Sequence, residues 1–464
     1  MEKVKTFGEL KSRVKRLPTV REEMRENLIK KLKAREELFP GIVGYDDTVK
    51  PALINAIMCG HNIIILGERG QGKTRIIRSM IDFLDDEIPV ISGCPINDDP
   101  FKPICEDCKE KIAEMGDKTP ISYMPRDKRL VEKLATSDVS TADLIGEVDP
   151  IKISQGRTLD DETAIHFGLV PRAHRSIFAI NELPDLAEKI QVAFFNIMEE
   201  NDFQIKGFPV RLPLDILIIA TANPEDYTNR GRIITPLKDR FDVQVRTHFP
   251  GKREHEIQIM DQESRVPNYN GSEIYIPEFI KKILAETTFQ ARLSPDISQV
   301  SGVSCRVSIR SLEAIMGNAL RRNLEFDEKR AVPRITDIRS TYPAIIGKLE
   351  VEYETEFTDE FEIIDELSRR SIKIVFDEYF NGKDMSSILD SFDKGSAVEI
   401  SDSIPSGDYM KLLKSIDGME KSVKTIADIK NPAEVSSAIE FILDGLHQSN
   451  LLNKEEKEGA VVYR

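Results

Sequence analysis

Cysteine is scarce in this chain of 464 residues: Cys59, Cys94, Cys105, Cys108 and Cys305 are all there is. So low and odd a count does not describe a disulfide scaffold. No apolar run approaches the roughly 18 residues of a membrane-spanning helix. The opening residues, MEKVKTFGEL, lack the apolar stretch of a secretory signal, so a cytoplasmic location is expected. Internal repeats and low-complexity tracts are missing too. There is also no excess of positive charge, since 65 Lys and Arg stand against 80 Asp and Glu, a net charge of −15. That balance argues against a surface built throughout for nucleic acid.

What is present is an ordinary core-forming composition, 40% hydrophobic and 31% charged, over a length that suggests two to four domains. The charge is uneven. Residues 1–36 hold twelve basic and six acidic side chains, whereas 351–366 hold eight acids and no base. Interleaved acids make the N-terminal segment a solvated amphipathic helix rather than a phosphate-binding arm. We read residues 1–38 as a helical extension, ending at Phe39-Pro40-Gly41. Residues 39–250 alternate apolar runs with helical patterns, the signature of a parallel sheet with crossover helices. Asn62–Leu66, Ser176–Ile180 and Ile216–Ala220 are continuously apolar, or nearly so, as central strands buried on both faces are. Residues 251–345 turn helical and are expected to form a smaller lid domain. The remainder, 346–464, is expected to be a mainly helical domain. In it, Val351–Phe357 alternates with glutamates as a strand with one acidic face would, and Asn431-Pro432 offers a helix N-cap and first-turn proline.

The strongest motif is Gly67-Glu68-Arg69-Gly70-Gln71-Gly72-Lys73-Thr74, which fits G-x-x-x-x-G-K-[ST] between an apolar strand and a helical pattern. Glycines let such a loop wrap so that backbone N–H groups face phosphate oxygens, with the helix N-terminus assisting. Lys73 is expected to reach the β- and γ-phosphates of ATP and the Thr74 hydroxyl to ligate Mg²⁺. Gly67, Gly70, Gln71, Gly72, Lys73 and Thr74 therefore form the candidate nucleotide-binding set. An acidic pair is expected at the end of a neighbouring strand, and the run Ser176–Ile180 ends in Asn181-Glu182. Glu182 is the candidate general base. Asn181 stands where an aspartate is usual; it can accept a hydrogen bond from a magnesium-bound water but brings no charge. Ile216–Ala220 leads into Thr221-Ala222-Asn223-Pro224, placing Asn223 to orient water beside the γ-phosphate.

This order of elements resembles the AAA+ superfamily and, within it, the magnesium-chelatase ATPase subunit and the MoxR ATPases. The residues that carry the resemblance are Phe39-Pro40-Gly41-Ile42-Val43-Gly44, Asp143-Leu144-Ile145-Gly146, Phe167–Arg175, Thr221–Glu225 and Leu237-Lys238-Asp239-Arg240-Phe241. It covers roughly residues 39–345. The fold it implies is a P-loop doubly wound parallel sheet with a helical lid. By the same resemblance Arg240 is an arginine finger acting on a neighbouring subunit's ATP. Arg306, after Gly302-Val303-Ser304-Cys305, is implied to be a sensor arginine acting in cis. Segments 146–170 and 200–212 are implied to be the family's helix-2 insert and pre-sensor hairpin. The partners implied are further copies of the chain in a ring, a hexamer, and a protein bearing a von Willebrand A-like domain.

Three outputs follow from that frame: a motor that remodels a partner protein, a slow nucleotide-dependent switch favoured by Asn181, and a DNA-acting machine favoured only by the basic N-terminus. Outside it stand Cys94, Cys105 and Cys108, spaced C-x₁₀-C-x₂-C. A Cys pair two residues apart can chelate a tetrahedral zinc, and prolines stiffen the loop that returns the third thiolate. A fourth ligand could be a distant His, an acid such as Asp107, or water; the alternative is three reduced thiols. His166 and His174 read as surface or packing histidines.

Overall fold

The structure, a computed structural model, describes residues 3–148, 165–200, 202–204, 211–223, 233–266, 273–298, 302–350, 360–457 and 460–464. It divides into two compact units, Met1–His248 and Phe249–Arg464.

The first unit is built on a five-stranded parallel sheet. Its strands, labelled here in chain order, are β1 (Ile63–Leu66), β2 (Leu130–Leu134), β3 (Ser176–Asn181), β4 (Ile216–Ala222) and β5 (Val243–Arg246), arranged β5-β1-β4-β3-β2. The apolar runs are continuous because alternate residues serve two cores. Ile63, Ile65, Ile177, Ala179, Leu217 and Ile219 face one hydrophobic cluster, and Ile64, Leu66, Phe178, Ile180, Ile218 and Ala220 face the other. Helices Val20–Ala34 and Val49–Cys59 contribute Met24, Leu28 and Leu53 to the first cluster. Helix Glu188–Glu200 contributes Ile190 and Phe194 to the second. The sheet is thus covered on both faces, as a doubly wound α/β fold requires.

The N-terminal segment departs from one continuous helix. Helices Phe7–Arg13 and Val20–Ala34 are separated by a break that contains Pro18, and Thr19 with Glu22 forms a capping box on the second. That helix is also less solvated than its charge suggests. Arg21 donates to Gly60 O and Asn62 Oδ1, and Arg25 to Met58 O. Glu23 is buried in a two-pronged ion pair with Arg129, the Nη2–Oε2 distance being 2.6 Å.

In the second unit a single apolar cluster runs from Met260, Phe279 and Ile315 to Ile364, Phe376, Phe441 and Ile442. The segments 251–345 and 346–464, read from sequence as two domains, therefore share one core. Asn431 caps helix Pro432–Gln448 through bonds from Ala433 N and Glu434 N, and Val435, Ala438, Ile439, Ile442 and Leu446 are buried along it. Gly445 lets this helix close on helix Glu360–Phe380: a Cβ there would lie 2.1 Å from the ring of Phe376. The unit also holds a three-stranded antiparallel sheet, Val398–Ile400, Ala460–Tyr463 and Lys454–Lys457, that the sequence reading missed. Residues 351–357, read as an acidic strand, lie outside the described residues. Among the described residues no helix is long and apolar enough to cross a membrane.

Candidate functional site

Three adjacent parallel strands end together. β1 pairs with β4 (Leu66 beside Ala222) and β4 with β3 (Ala220 beside Ile180), so the glycine-rich loop, Asn223 and Asn181-Glu182 all follow the carboxyl ends of neighbouring strands. This is where ligands bind in open α/β sheets.

The loop is shaped by its own residues. Gly70 and Gly72 have φ of +79° and +75°, conformations that side-chain-bearing residues rarely adopt. At Gly67 the need is for space: a Cβ would stand 1.8 Å from Thr247 Oγ1 and 2.4 Å from Gln71 Oε1. Gln71 is buried as a brace rather than presented outward. Its Oε1 accepts from Glu68 N (3.0 Å) and Thr247 Oγ1 (2.6 Å), and its carbonyl accepts from Tyr45 OH at 2.8 Å. Helix Lys73–Ser79 begins as the loop ends, with Thr74 in its exposed first turn.

Lys73 ties the motif to the next strand. Its half-buried ammonium donates to Gly67 O, to Glu68 O at 2.9 Å and to Asn223 Oδ1 at 2.6 Å. These three partners are neutral oxygens, weaker acceptors for an ammonium than a phosphate is. Asn223 is buried with its amide turned to Lys73. Beyond it, Thr221 Oγ1 accepts from Glu182 N (3.0 Å) and lies 3.4 Å from Asn181 Oδ1. Glu182 sits in the left-handed region, φ +60° and ψ +50°, so the chain bends sharply where the carboxylate leaves the strand.

The two arginines stand on other elements. Arg240 ends helix Thr235–Asp239, with its guanidinium 5.2 Å from the ring centre of Phe195. Arg306 belongs to the second unit, where it is the exposed first residue of helix Arg306–Glu325. Buried Glu256 holds that helix start by accepting from Ser308 Oγ and from Arg292 Nη1 at 3.0 Å. Burial, reinforced by Glu256, pushes the Cys305 thiol up to about 12. Of the two implied protrusions, Gly146–Val148 pairs with Ile165–Phe167 and Asp202–Gln204 with Arg211–Pro213; residues 149–164 and 205–210 between them lie outside the described residues.

No family model matches the chain. Among curated proteins it is similar to the magnesium-chelatase subunit ChlI of Nostoc sp., 26% identical over 327 residues, which is 66% of this chain and 82% of that protein. It is also similar to a ChlI homolog of Methanocaldococcus jannaschii, 31% identical over 215 residues, 45% of this chain and 53% of that protein. This second match therefore spans only about half of the relative's length. By these matches the chain resembles the magnesium-chelatase ATPase subunit, and its fold is a P-loop α/β sheet. A solved magnesium-chelatase complex of subunits BchI and BchD covers 69% of this chain and 98% of the other at 19% identity. Its TM-score of 0.36 makes that superposition too loose to build on.

A second cluster lies apart from these strand ends. Cys94, Cys105, Cys108 and Asp98 bring one donor atom each to within 4.8 Å of one another. The spacing picks out the three cysteines and leaves the fourth ligand open between a distant His, an acid such as Asp107 and water; Asp107 is exposed, and the carboxylate in the cluster is Asp98. Asp98 stands four residues after Cys94, a spacing that by itself marks no ligand.

Proposed function

We propose that this chain binds ATP with Mg²⁺ and hydrolyses it within a ring-shaped oligomer, a hexamer, and that hydrolysis remodels a partner protein. The observation that supports this most is the meeting of Lys73, Asn223 and Asn181-Glu182 at the carboxyl ends of three adjacent strands. In this reading the loop N–H groups and Lys73 hold the β- and γ-phosphates, and Asn223 steers both the ammonium and a water. Glu182 takes the proton of the attacking water, a role worth roughly 10²–10⁴ in rate. Mg²⁺, when bound, neutralises phosphate charge; the Thr74 hydroxyl would hold it, and Asn181 one of its waters. Arg240 serves a neighbour's site and Arg306 its own, each meeting charge that grows on the phosphate as the bond breaks.

The test separates binding from turnover. Lys73→Ala should abolish nucleotide binding, whereas Glu182→Gln should keep it and stop hydrolysis. Equal loss of ATP affinity in both variants would refute the division. Ring assembly has its own test: Arg240→Ala mixed with Glu182→Gln should recover activity that neither has alone, because some interfaces then combine two intact halves. Subunits that exchange without recovery would make Arg240 structural, and a chain monomeric with ATP at working concentration would remove the ring.

A second reading, a slow nucleotide-dependent switch, is favoured by Asn181, which supplies no charge beside the metal. A DNA-acting reading loses ground, since Arg21 and Arg25 are spent on backbone carbonyls and Lys11 and Lys31 on carboxylates. The partner we favour carries a von Willebrand A-like domain, as the resemblance implies, and a pull-down with ATP present would look for it. We place the chain in the cytoplasm.

A further inference from the structure

We propose that Cys94, Asp98, Cys105 and Cys108 hold one structural zinc ion, with Asp98 as the oxygen ligand of a Cys₃Asp site.

The backbone collects these four residues from two pieces of chain. Cys94 and Asp98 lie in the turn that follows strand Glu87–Ile91, which Asn97 bends through a φ of +63°. Cys105 is the N-cap of helix Glu106–Met115, and Cys108 lies in its first turn. Both cysteines on the helix, and Asp98, are buried. The Sγ atoms of Cys94 and Cys105 are 3.9 Å apart. A tetrahedral zinc with Zn–S bonds near 2.3 Å sets two thiolates about 3.8 Å apart, so the pair already has the separation one ion requires. Donor atoms confined within 4.8 Å suit a single ion rather than a cluster of several irons, whose ligands stand further apart.

The carboxylate gives the independent sign. Asp98 Oδ2 accepts from Ile104 N (3.1 Å) and Cys105 N (3.0 Å), which fixes the group in place. Its other oxygen, Oδ1, is buried with no hydrogen-bond partner, an arrangement that is unfavourable when left unmatched. A cation in the cluster would match it. Around the donors the chain places groups that suit thiolates. Asp98 N donates to Cys94 Sγ at 3.3 Å, and the N-terminus of helix Glu106–Met115 favours negative charge on Cys105 and Cys108.

The cluster also lies against a neighbouring segment. His174 Nδ1 accepts from Asp215 N at 2.9 Å, so the neutral ring carries its proton on Nε2, which lies 4.0 Å from Asp98 Oδ1. Asn97 Nδ2 donates to Arg172 O at 3.1 Å. Both contacts reach the segment that enters β3, the strand ending in Asn181-Glu182. A zinc here would lock the turn and helix together and clamp them to the start of that strand. Nothing in this role is catalytic. Binding exchanges the thiol protons for the metal, so no redox partner is needed.

The test is elemental analysis of the full chain purified without chelator, expected to show one zinc per chain. Asp98→Asn keeps three sulfurs and the side chain's shape but loses the charged oxygen. Its zinc affinity should fall by more than the roughly 10–100-fold typical of removing an outer-shell partner. Cys105→Ser/Cys108→Ser should be metal-free. Because those variants could misfold, the wild-type chain reloaded with Co²⁺ supplies a second reading, in which intense visible bands of tetrahedral thiolate coordination are expected. Metal-free wild-type protein, iron in place of zinc, a Cys94–Cys105 disulfide, or zinc retained by the double cysteine variant would each overturn the site.

Discussion

The strand ends of the first unit and the interior of the second use charge in different ways. In residues 249–464 charged side chains are turned inward and closed into pairs. Arg322 meets Asp337 with both partners buried, and Glu440, wholly buried, accepts from Thr336 N and Oγ1 and from Tyr409 OH. In residues 1–248 the pair Glu23–Arg129 is closed in the same way, but at the strand ends Lys73, Asn181 and Glu182 are only half-buried, and Lys73 donates to oxygens of Gly67, Glu68 and Asn223. One arrangement spends polar groups on holding a shape. In the proposed function the other keeps them for a ligand.

Substitutions should separate these uses. The largest effect is expected from Glu182→Gln, which should lower turnover by roughly 10²-fold or more while leaving the urea midpoint unchanged. If that variant unfolds early, the strand end is structural and the contrast fails. Arg322→Leu should do the reverse, costing about 3–5 kcal/mol of stability because Asp337 is left buried without its cation. A denaturation curve unchanged by that substitution would show that the pair adds nothing. Gly67→Ala tests the border between the two uses. Its Cβ would collide with Thr247 Oγ1, so both stability and nucleotide affinity should drop, the former by about 1–3 kcal/mol. Smallest is Asn181→Asp, which should lower the Mg²⁺ concentration needed for activity or raise the rate, since a carboxylate adds charge beside the hydrated ion. Identical metal titrations and rates would mean that the missing charge does not matter.

How much of this could be read beforehand follows from what each strand faces. β1, β3 and β4 are buried on both sides and so announce themselves as apolar runs. β2 and β5 lie at the two edges of the sheet, and their sequences, Leu-Val-Glu-Lys-Leu and Val-Gln-Val-Arg, mix charge with apolar residues and gave no such signal. The break before Val20 was legible in Pro18-Thr19 and Glu22, had the capping box been weighed above the run of charges. In the nucleotide loop, spacing named every residue but not its use. Gln71 turns out to brace the loop through Thr247, a residue 176 positions away, and no local pattern carries that pairing. Asp98 was invisible for a similar reason. An acid four residues from a cysteine is unremarkable until the fold brings Cys105 and Cys108 back to it.

The bend at Glu182 has a consequence for how this position can change. A residue with a Cβ held at φ +60° costs on the order of 1 kcal/mol relative to one free to adopt that conformation. Glycine would relieve the cost, offset in part by the greater freedom it gives the unfolded chain. Glu182→Gly should therefore fold at least as stably as the native protein while losing turnover. With Glu182 as the proposed base, stability and catalysis select for different residues, and a library screened only for thermal tolerance would drift toward an inert chain.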